Sequence, residues 1–320
     1  MKVLLALGGN AMTASDGSAA PAAQLEAIAT AMDSVAALVA AGHQVILTHG
    51  NGPQVGNILV KNELAAHVVP PVPLDWCGAQ TQGTIGFIIL DALEAAFAAR
   101  GISKPVAVLV SRTLVDADDP GFAEPTKPIG RYLAADHARA MMDHGQTWED
   151  RGAKGWRRVV ASPRPLEVLE TETIRLLVRA GHLVVAAGGG GIPVVRDSDG
   201  VLRGVEAVID KDLTATLLAQ DLEVDALVIA TDVDHATLDY RTDHARPIGR
   251  VTVAQMEEYA AAGQFSSGSM GPKVEAALQC ARTGGRSIIT SLHRIVDAVD
   301  HDYGTIITAD PPTETSNESS

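Results

Sequence analysis

The chain has 320 residues, of which 46% are apolar, 20% charged and only 3% aromatic, with a net charge of −14 at neutral pH. That length is enough to bury one large lobe or two fused ones, and the composition excludes disordered or collagen-like order except at the ends. The acid excess argues against nucleic acid, because binding a phosphate backbone needs a basic surface.

No apolar run reaches the roughly 20 residues that cross a bilayer, and only five apolar residues separate Met1-Lys2 from Gly8-Gly9-Asn10. The expectation is a cytoplasmic, unprocessed chain with no membrane role. Cys77 and Cys280 stand far apart without metal-ligand spacing, which reads as two reduced, structural thiols. Charge is unevenly spread: Lys104 to Arg164 holds ten Lys and Arg against eight Asp and Glu. A few local cations suffice to control a cleft, since screening acts over about 8 Å.

The elements follow a wound α/β rhythm. Residues 2–7 (KVLLAL) predict a strand, 21–41 a helix ended by Gly42, 44–48 (QVILT) a strand, and 53–67 and 76–100 helices, the second ended by Gly101. After a strand over 105–110 comes a helix over 166–180 closed by Gly181, then strand 183–187, helix 211–221, strand 226–230, helices 252–262 and 270–283, and strand 286–290. The strands are continuously apolar, as strands covered on both faces are. Glycine after a helix suits a left-handed cap. The fold class is therefore α/β, a mostly parallel sheet sandwiched by helices.

One interval departs from that rhythm. Residues 113–165 hold five prolines, Trp148, Trp156 and the basic cluster Arg151, Lys154, Arg157 and Arg158, which reads as an inserted subdomain or lid. Residues 310–320 (DPPTETSNESS) lack an apolar anchor and read as a disordered tail. No internal repeat is found.

Ligands of an open parallel sheet bind beyond the carboxyl ends of its strands, and there the chain is rich in glycine. Gly8-Gly9-Asn10 follows the first strand, His49-Gly50-Asn51-Gly52 the second, and Gly188-Gly189-Gly190-Gly191 the fourth. Such loops let a ligand approach backbone amides and helix N-termini, which suits phosphate oxygens. No Gly-Lys-Ser/Thr ending and no third spaced glycine is present, so a Walker-type ATPase and a dinucleotide-binding dehydrogenase are both disfavoured.

Moving a phosphoryl group needs cations where charge develops. Of seven lysines, three stand in stiff or helix-start contexts: Lys127 in PTKPIG, Lys211 in VIDKD and Lys273 in GSMGPK. Lys273 opens a helix, where its charge opposes the dipole and suggests a bound anion. Asp210 and Asp212 flank Lys211; such a pair orients the lysine or holds Mg²⁺ directly or through water, and Asp212 is equally a candidate helix cap. Asp232 and Asp234 have the spacing of a metal pair and are preferred as a nucleotide-loop wall. The histidines show no ligand spacing and no nucleophile elbow is evident, so positioning and electrostatics are favoured over covalent catalysis.

The strings ALGGNA, THGNGPQVGN, TKPIG, GGGGIPV, GVEAVIDKD, TDVD and GSMGPK, in this order, resemble those of the carbamate kinases in the amino-acid kinase family. The resemblance runs from Met1 to about Thr308. It implies a three-layer α-β-α sandwich over residues 1–309, with a protruding lid subdomain at about 113–165 and a nucleotide-binding part at about 205–309. It implies a homodimer and a reversible, Mg²⁺-dependent reaction of ATP and carbamate to ADP and carbamoyl phosphate. Gly8, Gly9, Asn10, Gly50, Asn51, Gly52 and Gly188, Gly189 and Gly190 would hold carbamate and the phosphoryl group. Lys211, Asp212, Thr231, Asp232, Val233, Tyr240, Ser269, Met270 and Lys273 would line the nucleotide site. Lys127, Lys211 and Lys273 would be the catalytic cations, Asp210 their organiser and a metal ligand, directly or through water. Two positions depart from the pattern: Arg131, where a proline is expected after PTKPIG, and His235-Ala236, where a bulkier apolar pair is expected after TDVD.

A related kinase acting on another carboxylate or on a nucleoside monophosphate is the second reading. A non-catalytic nucleotide sensor is the third, and three intact lysines count against it.

Overall fold

A computed structural model describes residues 1–9, 20–143, 145–266 and 270–309; the tail expected over 310–320 lies outside them. The six strands expected from the sequence all form and join one eight-stranded sheet. Its order is Arg250–Thr252, Thr305–Thr308, Arg286–Ser291, Ala226–Thr231, Lys2–Leu7, Gln44–His49, Leu183–Val185 and Val106–Val108. Neighbours run parallel except where Thr305–Thr308 meets Arg286–Ser291. Arg250–Thr252 and Thr305–Thr308 were not foreseen, because runs this short carry no readable period.

The period of two divides the first strand between two layers. Val3, Leu5 and Leu7 pack with Met32, Val35, Ile85 and Ile89 from the helices Pro21–Ala40 and Leu74–Arg100. Leu4 and Ala6 pack with Ala215, Leu218, Val274 and Ala277 from the helices Lys211–Asp221 and Met270–Arg282. The result is helix, sheet, helix, with the whole strand beyond Lys2 buried. Gly42, Gly101 and Gly181 take positive φ of 90°, 65° and 90° where the sequence placed helix ends.

Two helices, Pro21–Ala40 and Leu74–Arg100, are long and apolar enough to cross a membrane by length and composition, which counting uninterrupted apolar runs had missed. Here one face of each, with Met32 and Val35 on the first and Ile85 and Ile89 on the second, lines the core of one sheet face.

A second sheet of four strands runs Leu202–Gly204, Ile192–Arg196, Arg112–Val115 and Pro165–Val168. The helix expected over 166–180 is thus shorter, Thr171–Arg179. Residues 165–168 instead pair antiparallel with Arg112–Val115, and Glu170 takes the Arg112 amide at 2.7 Å. Between these flanks lies a three-stranded sheet of Lys127–Leu133, Trp156–Val160 and Thr147–Asp150. Its Ile129 and Val160 pack on Val55 and Leu59 of the helix Gly52–Ala65, which holds this small sheet beside the loop that follows His49.

His49 ends its strand fully inside the protein, 2% exposed. Its Nδ1–H donates to the Gly50 carbonyl at 3.0 Å. Burial pushes its pKa down from 6.5 to about 4; the Gly50 bond opposes that shift and the positive Lys211 adds to it. The neutral ring therefore favours the folded state above pH 6.5, and that margin is lost as pH falls from 6.5 toward 4.

Leu5→Ala, at a fully buried site, should cost about 2–5 kcal/mol, whereas Leu176→Ala, 65% exposed, should stay within about 0.5 kcal/mol; urea midpoints at constant m-value check both. Between pH 7 and pH 5 the urea midpoint of the wild type should fall more steeply than that of His49→Gln. Equal slopes would remove His49 as the source of the acid sensitivity.

Candidate active site

The strand ends meet through glycine backbones. The Gly8 amide donates to the Ala230 carbonyl at 3.0 Å, tying the end of the first strand to that of its neighbour. A Cβ on Gly50 would lie 2.9 Å from the Gly9 nitrogen, and one on Gly189 would lie 2.1 Å from Asn51 Nδ2. A Cβ on Gly190 would lie 2.6 Å from the Ile209 carbonyl oxygen, directly before Asp210. Gly8, Gly9, Gly50, Asn51, Gly189 and Gly190 thus form a continuous floor of backbone, as three glycine loops on one sheet edge had suggested. Asn51 is the N-cap residue of the helix that Gly52 begins, so the N-terminus of that helix faces the same floor.

Polar side chains that sequence reading missed frame this floor. Gln82 donates from Nε2 to the carbonyls of Gly188 at 2.9 Å and Ser111 at 3.1 Å, and accepts the Ser111 amide at 2.8 Å. Thr113 and Thr214 hydroxyls both donate to the Gly190 carbonyl, at 2.8 and 3.0 Å. Thr48 and Ser111 secure Ala187, whose φ of 51° is rare for a residue with a side chain. The Asn51 amide donates to Thr81 Oγ1 at 2.8 Å. Thr81 and Gln82, polar residues in the middle of an otherwise apolar helix, were the available signal.

The cations gather at the N-terminus of the Lys211–Asp221 helix. Asp210 caps it, accepting the amides of Asp212 at 2.9 Å and Leu213 at 3.4 Å through Oδ1. Its other oxygen accepts from Lys127 Nζ at 2.9 Å. Asp212 is therefore not the cap. It lies buried in the first turn, receiving Lys211 on one oxygen and Lys273 on the other at 3.1 Å. Burial opposes the Asp212 charge, but the ammonium groups of Lys211 and Lys273 outweigh it and hold the carboxyl down at about 2. For Lys273, in the first turn of Met270–Arg282, where the sequence suggests a bound anion, the counter-charge in the structure is the chain's own Asp212.

Exposure separates the three lysines. Lys211 and Lys273 side chains are only 12% and 17% exposed, while Lys127, coming from the small three-stranded sheet, is 41% exposed. Lys211 is also the charge that Asp212 and His49 both sense, so the cation cluster and the glycine floor are contiguous. Lys2, Lys61 and Lys104 play no part in the cluster; Lys2 instead donates to the Leu222 carbonyl at 2.7 Å.

The expected nucleotide wall is less tightly tied to this cluster. Thr231, at the end of its strand, donates to Asp232 at 3.0 Å. Asp234 is held low in pKa by hydrogen bonds from Ser291 and Tyr303, and His235 stacks edge-on with Tyr303 at 4.9 Å. Val233 sits between these carboxylates in sequence. Tyr240 is 61% exposed, with the Arg241 guanidinium 5.3 Å above its ring. Met270 packs on the core next to the Lys211–Asp221 helix. Asn10 and Ser269 lie outside the described residues.

Among the described residues no group of three His, Cys, Asp or Glu side chains is arranged to hold a metal. The Asp232 and Asp234 pair suggested by spacing is divided between Thr231 and Tyr303. Asp210 uses both oxygens within the chain, Oδ1 on the Asp212 and Leu213 amides and Oδ2 on Lys127, so a magnesium ion held there would take its ligands mainly from phosphates and water.

The amino acid kinase family model matches residues 1–291. A carbamate kinase of Pyrococcus horikoshii is 41% identical over 311 residues, covering 96% of this chain and 99% of that protein. Carbamate kinase 1 of Enterococcus faecium is 42% identical over the same shares. Among solved structures, carbamate kinase from Giardia lamblia bound to AMP-PNP superposes with a TM-score of 0.91 at 40% identity, covering 97% of this chain and 98% of that one. The mostly parallel sheet, the glycine floor and this similarity over nearly the full length agree: the chain belongs to the amino acid kinase family.

Proposed function

We propose that the chain is a carbamate kinase, transferring a phosphoryl group reversibly between ATP and carbamate to give ADP and carbamoyl phosphate. The observation that carries this reading is the meeting of three ammonium groups, Lys127, Lys211 and Lys273, at two carboxylates beside a floor of backbone amides. The family match and the full-length similarity to carbamate kinases support it.

The chemistry needs charge neutralisation more than a base. A carbamate oxygen and the β-phosphate oxygen of ADP are both already competent nucleophiles, so direct in-line transfer needs no phosphoenzyme. The Gly8, Gly50 and Gly190 amides bond the Ala230, Leu7 and Ala187 carbonyls and so shape the loops, while the amides of Gly9, Asn51, Gly52, Gly188 and Gly189 would cradle carbamate and the phosphoryl oxygens. Asn10, in the ALGGNA string, would join them. Lys211 would bridge the phosphates, Lys273 would follow the transferring group, and Lys127 would reach it from the 113–165 lid. Asp210, the helix cap, would orient Lys127 and hold a magnesium ion through water; the ion, when bound, would neutralise phosphate charge. Asp212 bridges Lys211 and Lys273, one on each carboxylate oxygen. Thr231, Asp232, Val233, Tyr240, Ser269 and Met270 would line the nucleotide side. A cytoplasmic homodimer completes the proposal; Trp76 and Phe87, each about three-fifths exposed, sit eleven residues apart on one face of the Leu74–Arg100 helix and favour self-association.

A coupled assay of ATP formation from carbamoyl phosphate and MgADP tests the proposal. Turnover with carbamoyl phosphate and none with acetyl, aspartyl or glutamyl phosphate is the expected result; preference for one of those acyl phosphates would replace it with the related-kinase reading. In the same assay Lys127→Ala and Lys211→Ala should each lose on the order of 10²- to 10³-fold in kcat, roughly 3–4 kcal/mol. Wild-type turnover in both would remove the electrostatic mechanism. Asp212→Asn should slow turnover and also destabilise the fold by about 3 kcal/mol, since it leaves two ammonium groups half-buried without their counter-charge; an unchanged urea midpoint would count against its bridging role.

A further inference from the structure

The small three-stranded sheet has a second face, and that face is basic and concave. Consecutive residues of a strand point to opposite sides, so Pro128 faces away from Lys127 and the catalytic crevice. Pro128 pairs with Val159, and Tyr132 with Arg157. Cross-strand partners share a face, and Arg157 and Val159 are two apart, so Pro128, Tyr132 and Arg157 lie together. With Arg151 and Lys154 they line a cavity of about 320 Å³. The opposite face is already committed, with Ile129 and Val160 packed against Val55 and Leu59.

The loop that supplies two of these cations is tightly built. Asp150 Oδ1 accepts the Gly152 amide at 2.8 Å, and the Arg151 amide donates to the Gly155 carbonyl at 2.9 Å. Gly155 takes φ of +91°, and a Cβ there would fall 2.8 Å from the Leu133 carbonyl oxygen, so only glycine fits. The cations it presents are under-neutralised. Arg151 reaches Glu149 at 2.5 Å, but among the described residues neither Lys154 nor Arg157 has a carboxylate within ion-pair distance. Arg157 places its guanidinium 5.2 Å over the Tyr132 ring, and its Nε is buried without a hydrogen-bond partner among the described residues. In a chain of net charge −14, three cations held around one concavity are not a solvated face of average composition.

We infer that this pocket binds a small phosphate-bearing polyanion at a site separate from the catalytic crevice. Two arginines and a lysine converging on one cavity match the several oxygens and double charge of a phosphate group better than a single carboxylate. Pro128 and Tyr132 give the pocket an apolar wall for the remainder of the ligand.

Inorganic pyrophosphate is the probe, titrated calorimetrically into the full-length chain. The Lys211→Ala background removes the central ammonium of the crevice and so weakens its share of the heat, and the response to Lys154 variants in that background separates the pocket from what remains of the crevice. In that background Lys154→Glu should weaken pyrophosphate binding by about tenfold or more, while Lys154→Arg should leave it within about threefold. Lys154 is exposed, so both variants should melt like their parent. Malonate, a dicarboxylate control, should bind more weakly than pyrophosphate. The inference is overturned if pyrophosphate gives no heat in the Lys211→Ala background, if Lys154→Glu binds it as tightly as its parent, or if malonate binds equally well.

Discussion

The structure turns on how like charges are brought together at the N-terminus of one helix. Lys127, Lys211 and Lys273 come from three separate parts of the chain, and three ammonium groups in one crevice repel each other and the positive end of the helix. Asp210 and Asp212 resolve both problems. Asp210 caps the helix with one oxygen and holds Lys127 with the other, while buried Asp212 sits between Lys211 and Lys273. The depressed pKa of Asp212 expresses the same fact, since its charge is worth more to the two lysines than burial costs it. Without an anionic ligand the carboxylates are the counter-charge, and a phosphate chain has the same oxygens to offer.

The remaining parts of the site serve to bring that cluster against backbone rather than side chains. The parallel sheet delivers the ends of Lys2–Leu7, Gln44–His49 and Leu183–Val185 to one edge, and Gly50, Gly189 and Gly190 let the loops touch where a Cβ would intrude. Gln82, Thr113 and Thr214 then fix the loop carbonyls and Ser111 accepts the Ala187 amide, so the loops are shaped in advance of ligand binding. Preorganised amides and ammonium groups need little rearrangement as charge moves between oxygens, which is what direct phosphoryl transfer requires.

Much of this was legible in the chain itself. Continuous apolar runs marked the buried strands, glycine marked helix ends, and lysines in stiff contexts marked the cluster, because each follows from local chemistry. What stayed hidden was decided by partners distant in sequence. The cap fell to Asp210 rather than Asp212 because Lys211 and Lys273 claim the Asp212 carboxylate. Residues 165–168 became a strand because Arg112–Val115 offered them an edge, although their composition also suits a helix. Gln82 reads as one polar residue in an apolar helix until the Gly188 loop is folded against it. His49 shows no ligand spacing, and only its depth in the structure makes it neutral.

A crystal structure of the chain with magnesium and AMP-PNP would test the charge cluster most directly. The Nζ atoms of Lys127, Lys211 and Lys273 should turn from Asp210 and Asp212 to phosphate oxygens at hydrogen-bonding distances of about 2.7–3.2 Å. A phosphate chain bound elsewhere, with the three lysines still seated on the two aspartates, would contradict this.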